Sequence, residues 1–553
     1  MSLRPTPIAA VPEETARIAR AAFPKGTLAM RLHDELGTVF DDARFAALYP
    51  SFGQPALAPW RLALVTVLQF VENLSDRQAA EAVRGRIDWK YALGLELTDP
   101  GFDFSVLSEF RTRLIDGGLE EKLLTALLDR CRACGLVKAR GQQRTDSTHV
   151  LAAVRVLSRL EMVGETLRAA LDSVAGIAPD WLAAQVGADW FDRYARRVED
   201  ERLPKGEAAR RTYGETIGRD GHHLLAAVWA PDAPPALRVL PAVQRLRRLW
   251  VEQFFCEGEQ IRWRAGADLP PASLALTSPY DEDARYGTRR SATWIGCKVH
   301  LTETCDEAAP HLIVHVATAP APEADADRAA PIQAALAAQA LAPATHLLDA
   351  GYVDAGLLVH SRVAHQIEVI GPVRPEASWQ GTTAGAYGLS AFTLDWAQRK
   401  ATCPQGQVSR YWSTGQDSWG NPAVFIQFAQ FAPETCAGCP ARARCTRAKH
   451  QGRRLTVRTQ AEHEALQQAR HDQETAAWKG RYAKRAGIEG TLSQAVRAFG
   501  LRQCRYIGHA KAKLQHLITA VALNFVRLDA WLRGEPRAET RGSAFAKLRP
   551  EAA

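Results

Sequence analysis

The sequence predicts a mixed α/β core preceded by an all-α N-terminal region and broken by a helical insertion and a cysteine-rich insertion. Three observations predict it. Apolar residues recur at helix spacing up to about residue 140. Short strand-like runs alternate with helical stretches between 142 and 372. Four cysteines gather between 403 and 445, in a stretch rich in Gly, Ser, Thr and Pro. A chain of 553 residues is too long for one compact core.

Residues 1–25 carry few large apolar side chains and read as a mobile arm. Residues 26–140 read as a helical, DNA-binding-like domain. Leu62, Ala63, Val65, Leu68, Val71 and Leu74 mark one helix. Ser75 is placed to cap Asp76–Gly85, and Ser105 to cap Val106–Leu119, with a turn expected at Asp88–Gly94. Residues 141–375 read as the first part of the core. It has strands at 142–151, 293–303, 311–318, 345–349 and 367–371, helices near 324–340 and 354–364, and a helical insertion at about 157–250. Residues 376–455 form the cysteine-rich insertion, with strand-like pieces at Val408–Ser413 and Ala423–Gln430. Residues 456–533 are helical and basic, and 534–553 read as a loose tail.

Charge is unevenly spread. Residues 441–513 hold 17 Lys/Arg against 5 Asp/Glu, which leaves 52 basic and 56 acidic residues for the rest. One basic block on an otherwise slightly acidic chain points to a polyanion partner. No run of apolar residues is long enough for a membrane span, and the N-terminus lacks a signal-peptide core, so a cytoplasmic location is expected. The ten cysteines then read as thiols or metal ligands rather than disulfides.

Three acids carry the chemistry. Asp146 follows Gln-Arg-Thr in a strand-like run, and Asp349 follows His-Leu-Leu in another. Glu489 lies in Tyr482-x2-Arg485-x3-Glu489, where the three residues share one helix face. Two strand-end aspartates and a helix glutamate can converge on a pair of divalent cations, the apparatus for cutting and rejoining phosphodiesters. On the bland reading Arg485 and Glu489 are a surface i,i+4 pair, and each aspartate is a turn residue. Asp281 and Asp283 are rivals for the second acid. Asp349 is preferred because an apolar strand fixes it. His149 reads as a packed histidine before a site member.

Several motifs resemble the core of insertion-sequence DDE transposases, closest to the IS-eleven-eighty-two-like group. They are Asp146-Ser-Thr-His149, Leu347-Leu-Asp-Ala-Gly-Tyr352 and Tyr482-x2-Arg-x3-Glu-Gly-Thr-x-Ser-Gln494. Ser278-Pro-Tyr-Asp281-x-Asp283-Ala-Arg-Tyr286, Trp294-Ile-Gly-x-Lys-Val-His300 and the stretch from Gly500-Leu-Arg502 to Leu514-Gln-His-Leu517 agree. Leu48-Tyr-Pro50 and Pro59-Trp60-x-Leu62 resemble the usual N-terminal domain of these enzymes. The resemblance covers about residues 30–530. It implies an RNase H-like core, catalytic Asp146, Asp349 and Glu489, and two magnesium (or manganese) ions held by those acids. DNA contacts are expected from Tyr482, Lys484, Arg485 and Arg497. The wider pattern places a basic residue seven after the glutamate; here that position is Val496, and Arg497 follows. The implied partners are double-stranded DNA with terminal inverted repeats, target DNA and a second copy of the chain. A catalytically inactive transposition repressor and a hydrolysis-only nuclease are the alternatives.

Cys403, with Cys436-x2-Cys439-x5-Cys445, resembles a split four-thiolate structural zinc site, with His450 as a substitute ligand. Cys131-x2-Cys134 lies in a helical run and reads as packing.

Overall fold

The computed structural model describes all residues except 1, 6, 258–259, 290–291, 429–433, 449–450 and 538–553. His450 and most of the expected tail therefore lie outside the described residues. The central sheet has six strands: β1 (Gln142–Leu151), β2 (Arg285–Arg289), β3 (Ala292–Thr304), β4 (Ile313–Pro320), β5 (Thr345–Leu347) and β6 (Glu368–Ile370). Strand β3 runs antiparallel to β1, with Asp146 opposite Leu301, and antiparallel to both β2 and β4. On the other side, β5 pairs parallel to β1 and β6 parallel to β5. The hairpin expected around Asp306–Glu307 is the β3–β4 connection.

The N-terminal region is helical, and its largest core does not stop at residue 140. Trp60, Leu68, Phe70 and Phe110 share one buried cluster with Val299 and Leu301 of β3 and with Leu517, Val521 and Phe525 of the His509–Leu532 helix. Arg31 adds a polar tie: its Nε and Nη2 donate to the two oxygens of Asp529 at 2.6 and 3.0 Å. Ser75 caps Asp76–Gly85 in a full capping box with Gln78.

Four local expectations are corrected. Within 1–25, Glu13–Ala22 is a helix whose Ala19 is buried beside Met30 and Tyr91, and Thr15 Oγ1 donates to the carbonyl of Leu95. Small side chains let this helix approach closely, so burial came without large apolar residues. The expected turn at Asp88–Gly94 is the helix Ile87–Leu93, closed by Gly94 in the left-handed conformation. The helix expected from Val106 begins at Ser105; Phe104 is its N-cap, and Asp103 accepts from the Ser105 amide. Asp146 is not at a strand end. β1 runs five residues beyond it, because pairing with β3 continues to Leu151 opposite Gly296.

The insertion after β1 builds a second core around Leu167, Leu224, Leu246 and Trp250. Its longest helix, Glu207–Trp229, presents glycines to aromatic rings. A Cβ on Gly214 would lie 1.8 Å from the Trp263 ring, and one on Gly221 2.0 Å from that of Trp250. The cysteine-rich segment has a third core, Phe392, Val424, Ile426, Phe428 and Leu455, under a sheet of Tyr411–Gln416, Pro422–Gln427 and Arg454–Val457. Among the described residues, no helix is long and apolar enough to cross a membrane.

Candidate active site

Asp146 stands in the middle of β1 with its side chain only 8% exposed, and its Oδ1 accepts the Ser147 amide at 2.7 Å. Burial raises its pKa; Arg485 and the Ser147 amide oppose that rise, and Asp349 adds to it. Asp349 lies two residues beyond β5, in a tight loop. Its Oδ1 accepts the Gly351 amide at 2.8 Å, and a Cβ at Gly351 would sit 3.0 Å from that oxygen, a tight approach. Tyr352 anchors the same loop: its ring is fully buried, and its hydroxyl lies 2.6 Å from His300 Nδ1.

Tyr482, Arg485 and Glu489 are not on one uninterrupted α-helix. Ala476–Ala483 gives way to a 3-10 turn, Lys484–Ala486, before the helix Gly487–Phe499. The tighter turn swings Arg485 toward the sheet. Its Nη2 lies 2.7 Å from Asp146 Oδ2 and 3.8 Å from Asp349 Oδ2, while its Nη1 lies 3.0 Å from Glu489 Oε1. One guanidinium thus gathers all three acids. Burial works against its charge, but Asp146, Tyr482, Asp349 and Glu489 more than offset this, and its pKa is raised. Its Nε is buried with no hydrogen-bond partner. Glu489 is the most exposed of the three acids, at 65%.

A buried ion cluster beside the site holds the Glu489 helix. Arg144 Nε donates to Glu303 Oε1, and Arg527 Nη1 and Thr491 Oγ1 both donate to Oε2, each at 2.6 Å. Arg144 also donates to the Lys484 carbonyl, and its guanidinium lies so close to Gly487 that a Cβ there would be 2.1 Å away.

The other expected contacts are placed differently. Tyr482 stacks on Trp478, with ring centroids 4.8 Å apart, and packs on Cys305, Leu347 and Ile370. Lys484 pairs with Glu307 at 2.9 Å. Arg497 is exposed in the last turn of its helix. His149 packs against Trp294. The rival acids are engaged elsewhere. Asp281 accepts amides of Asp283, Ala284 and Gly508, and Asp283 Oδ2 accepts the His509 amide at the start of the last helix.

Three site residues escaped the sequence reading. Arg289 Nη2 lies 3.9 Å from Asp349 Oδ2. Asp325 accepts from Ser147 Oγ and from Lys298 Nζ, both at 3.1 Å, and its Oδ2 would be 3.8 Å from a Cβ on Gly351. Asp325 has a weak sequence signal, because Glu323, Asp325 and Asp327 together read as helix-start charges. Lys298 stood inside a quoted motif, but nothing local linked it to Asp325.

Cys403, Cys436, Cys439 and Cys445 line one cavity, with Tyr387, Arg442 and Arg453. Cys403 sits in a tight turn, in which Gly406 takes φ 75° and its amide donates to the Cys403 carbonyl at 2.9 Å. Burial raises the pKa of Cys445, and the other three thiols raise it further, against Arg453. Thiol donors suit a soft cation, but among the described residues these four are not drawn together as a group of three or more ligand atoms within 4.8 Å of one another. Cys131 is packed in the first core as expected, whereas Cys134 is exposed and does not pack.

Two family models match the chain. Residues 402–529 match a family described as Transposase DDE domain. That stretch is similar to a transposase DDE domain. The match includes Tyr482, Arg485, Glu489 and the four cysteines, and lies wholly downstream of Asp146 and Asp349. Residues 19–113 match a family described as Transposase domain (DUF772). No curated protein matches the chain. A transposase DDE domain implies DNA binding and DNA transposition, and DDE transposases use divalent metals. The helical N-terminal region and the mixed sheet are consistent with a transposase catalytic core.

Proposed function

We propose that the chain is an insertion-sequence transposase of the IS-eleven-eighty-two-like group, with an RNase H-like core, which cleaves the element's ends and joins them to target DNA. The observation that carries this reading is the convergence of Asp146, Asp349 and Glu489 on the Arg485 guanidinium. The sheet supports it. β1, β3 and β4 form an antiparallel set, and β5 and β6 continue it in parallel on the other side of β1.

Asp146, Asp349 and Glu489 are the residues that would hold two magnesium or manganese ions, and their hard oxygen donors and excess negative charge fit such ions. Bound there, the ions would activate the attacking water or 3′-hydroxyl and stabilise the leaving oxygen. Asp146 is the fixed, buried anchor, and Gly351 and Tyr352 hold Asp349. Glu489 is exposed enough to adjust as cations and DNA arrive. Arg485 offsets the acids' repulsion in the free protein, and its planar fork suits a DNA phosphate once cations take over that task.

The basic block at 441–513 would track the backbone, with Lys484 and Arg497 at its surface. Tyr482, stacked on Trp478, would support the Arg485 turn and offer its ring edge to DNA. We assign residues 26–140 to DNA binding and 376–455 to a zinc module held by Cys403, Cys436, Cys439 and Cys445. Two copies would bring the two ends together.

The test supplies purified protein with magnesium or manganese, duplexes bearing the inverted repeats that flank its gene, and a target plasmid. Cleaved ends and joined products are expected, and Asp146→Asn, Asp349→Asn or Glu489→Gln should abolish both. Cleaved ends that never join would make the protein a nuclease. Binding without cleavage would make it a repressor.

A further inference from the structure

We propose that Cys297, Cys504 and His516 form a second metal site, separate from the acids and from the cysteine-rich module, which takes a zinc ion. The three come from different parts of the fold. Cys297 is on β3, Cys504 is on the connection after the Glu489 helix, and His516 is on the last helix. Their ligand atoms all lie within 4.8 Å of one another. Zinc–sulfur bonds of about 2.3 Å and zinc–nitrogen bonds of about 2.0–2.1 Å would need only a small contraction of that triangle.

The histidine supplies the independent observation. His516 is completely enclosed, and its Nε2 has no hydrogen-bond partner. An unpaired buried polar atom is costly, so a missing partner is the economical account of it. Its other nitrogen, Nδ1, lies 2.8 Å from Thr318 Oγ1. Donation from Nδ1–H to that hydroxyl leaves a lone pair on Nε2, the tautomer a metal requires, and such an outer partner commonly orients a ligating ring. Burial holds the imidazole neutral, pushing its pKa down to about 3.

The two thiols contact one another, and that contact raises the pKa of Cys297 and lowers that of Cys504. Cys297 is buried, whereas Cys504 is half-buried and gives the ion a way in. Entry of zinc would release one proton from each thiol to solvent, and two thiolates would balance the ion's charge. The fourth position, on the Cys504 side, would take a water molecule.

Such an ion would tie the sheet, the 500–508 connection and the last helix together. That connection already docks on β1: the Leu151 amide donates to the Arg502 carbonyl and the Cys504 amide to the Leu151 carbonyl, at 2.8 and 2.9 Å. Arg502 Nε also reaches Thr148 Oγ1, two residues from Asp146.

The test measures zinc per chain in full-length protein purified under reducing conditions. Cys504→Ser, at a half-buried position, should lower the content by one equivalent, and His516→Gln should do the same. A Cys436→Ser/Cys439→Ser variant should still bind one equivalent of added zinc, with a rise in Tm. Loaded with cobalt, it should show thiolate-to-metal charge-transfer bands that Cys504→Ser removes. If His516→Gln fails to fold, the cobalt spectrum and Cys504→Ser decide. Equal zinc in wild type and Cys504→Ser, or a Cys297–Cys504 disulfide found by mass spectrometry in freshly purified protein, would overturn the proposal.

Discussion

Two clusters of arginines and carboxylates lie side by side on one face of the same sheet, with Arg144 and Asp146 two residues apart on β1, and they are built to opposite rules. Around Glu303, two arginines and a threonine enclose one acid that is 0% exposed. Around Arg485, three acids share one guanidinium, with Arg289 at the margin and Glu489 largely in solvent. The first cluster satisfies both carboxylate oxygens and admits nothing further. The second holds more negative charge than its arginines offset and invites a cation. The helix Gly487–Phe499 serves both, giving Thr491 to the closed cluster and Glu489 to the open one. Burial alone does not distinguish an acid that is fully paired from one that invites a cation; the balance of charge around it does.

The largest expected effect tests the closed cluster. Glu303→Ala leaves Arg144 and Arg527 buried without a counter-charge and should cost about 3–5 kcal/mol of stability in urea unfolding. A loss below about 1 kcal/mol would show that solvent reaches this cluster and that the contrast with the open one is false. Asp146→Asn should separate the two effects, abolishing DNA cleavage while changing unfolding free energy by no more than about 1 kcal/mol.

The contrast sharpens with pH. Burial opposes ionisation of Glu303, but Arg527 and Arg144 outweigh it and set its pKa below the usual glutamate range. Its contribution is therefore present above the unfolded pKa and is lost as pH falls toward the folded one. Asp146 has a raised folded pKa, so the opposite holds. Folding is penalised once pH rises above that value, and the penalty is relieved as pH falls to the ordinary aspartate range. Unfolding free energies of wild type, Glu303→Gln and Asp146→Asn across the acidic range should show differences of opposite slope. Parallel slopes would refute the assignment.

Smaller effects are expected from the rim. Arg485→Ala should flatten the salt dependence of DNA binding by about one unit and weaken all sequences alike. It should also tighten divalent-cation binding in the absence of DNA, because the acids lose their internal counter-ion. Unchanged values in both assays would confine Arg485 to a structural pairing with the three acids. If the cysteine-rich module holds the proposed zinc, its removal should increase hydrogen exchange within 376–455 and leave the Glu303 core unaffected, because the two cores are separate.

Much of the fold was legible because it is local. Ser75 caps its helix as its spacing with Gln78 implies, and the apolar runs at 293–303 and 311–318 are strands within two residues. The three acids could be found from short motifs. What the sequence concealed was set through space. Asp146 lies inside its strand because β3 pairs far beyond it. The 3-10 turn that aims Arg485 follows from the Arg144 guanidinium lodged against Gly487 and bonded to the Lys484 carbonyl, from 340 residues away in sequence. Asp325 and Lys298 meet across a strand and a loop. The helix Glu13–Ala22 was missed because its contact face is small rather than greasy.

The shared core that joins Trp60 and Phe70 to Leu517 and Phe525 has a consequence for synthesis. A ribosome adds about 5–20 residues per second, so roughly 20–90 s separate the emergence of the Pro59–Val71 helix from that of the helix that covers it. During that interval the first helices present the apolar surface that the last helix later covers. The shared core closes only after the helix His509–Leu532 has left the ribosome, and a chain released before it would go to chaperones or proteases rather than to DNA.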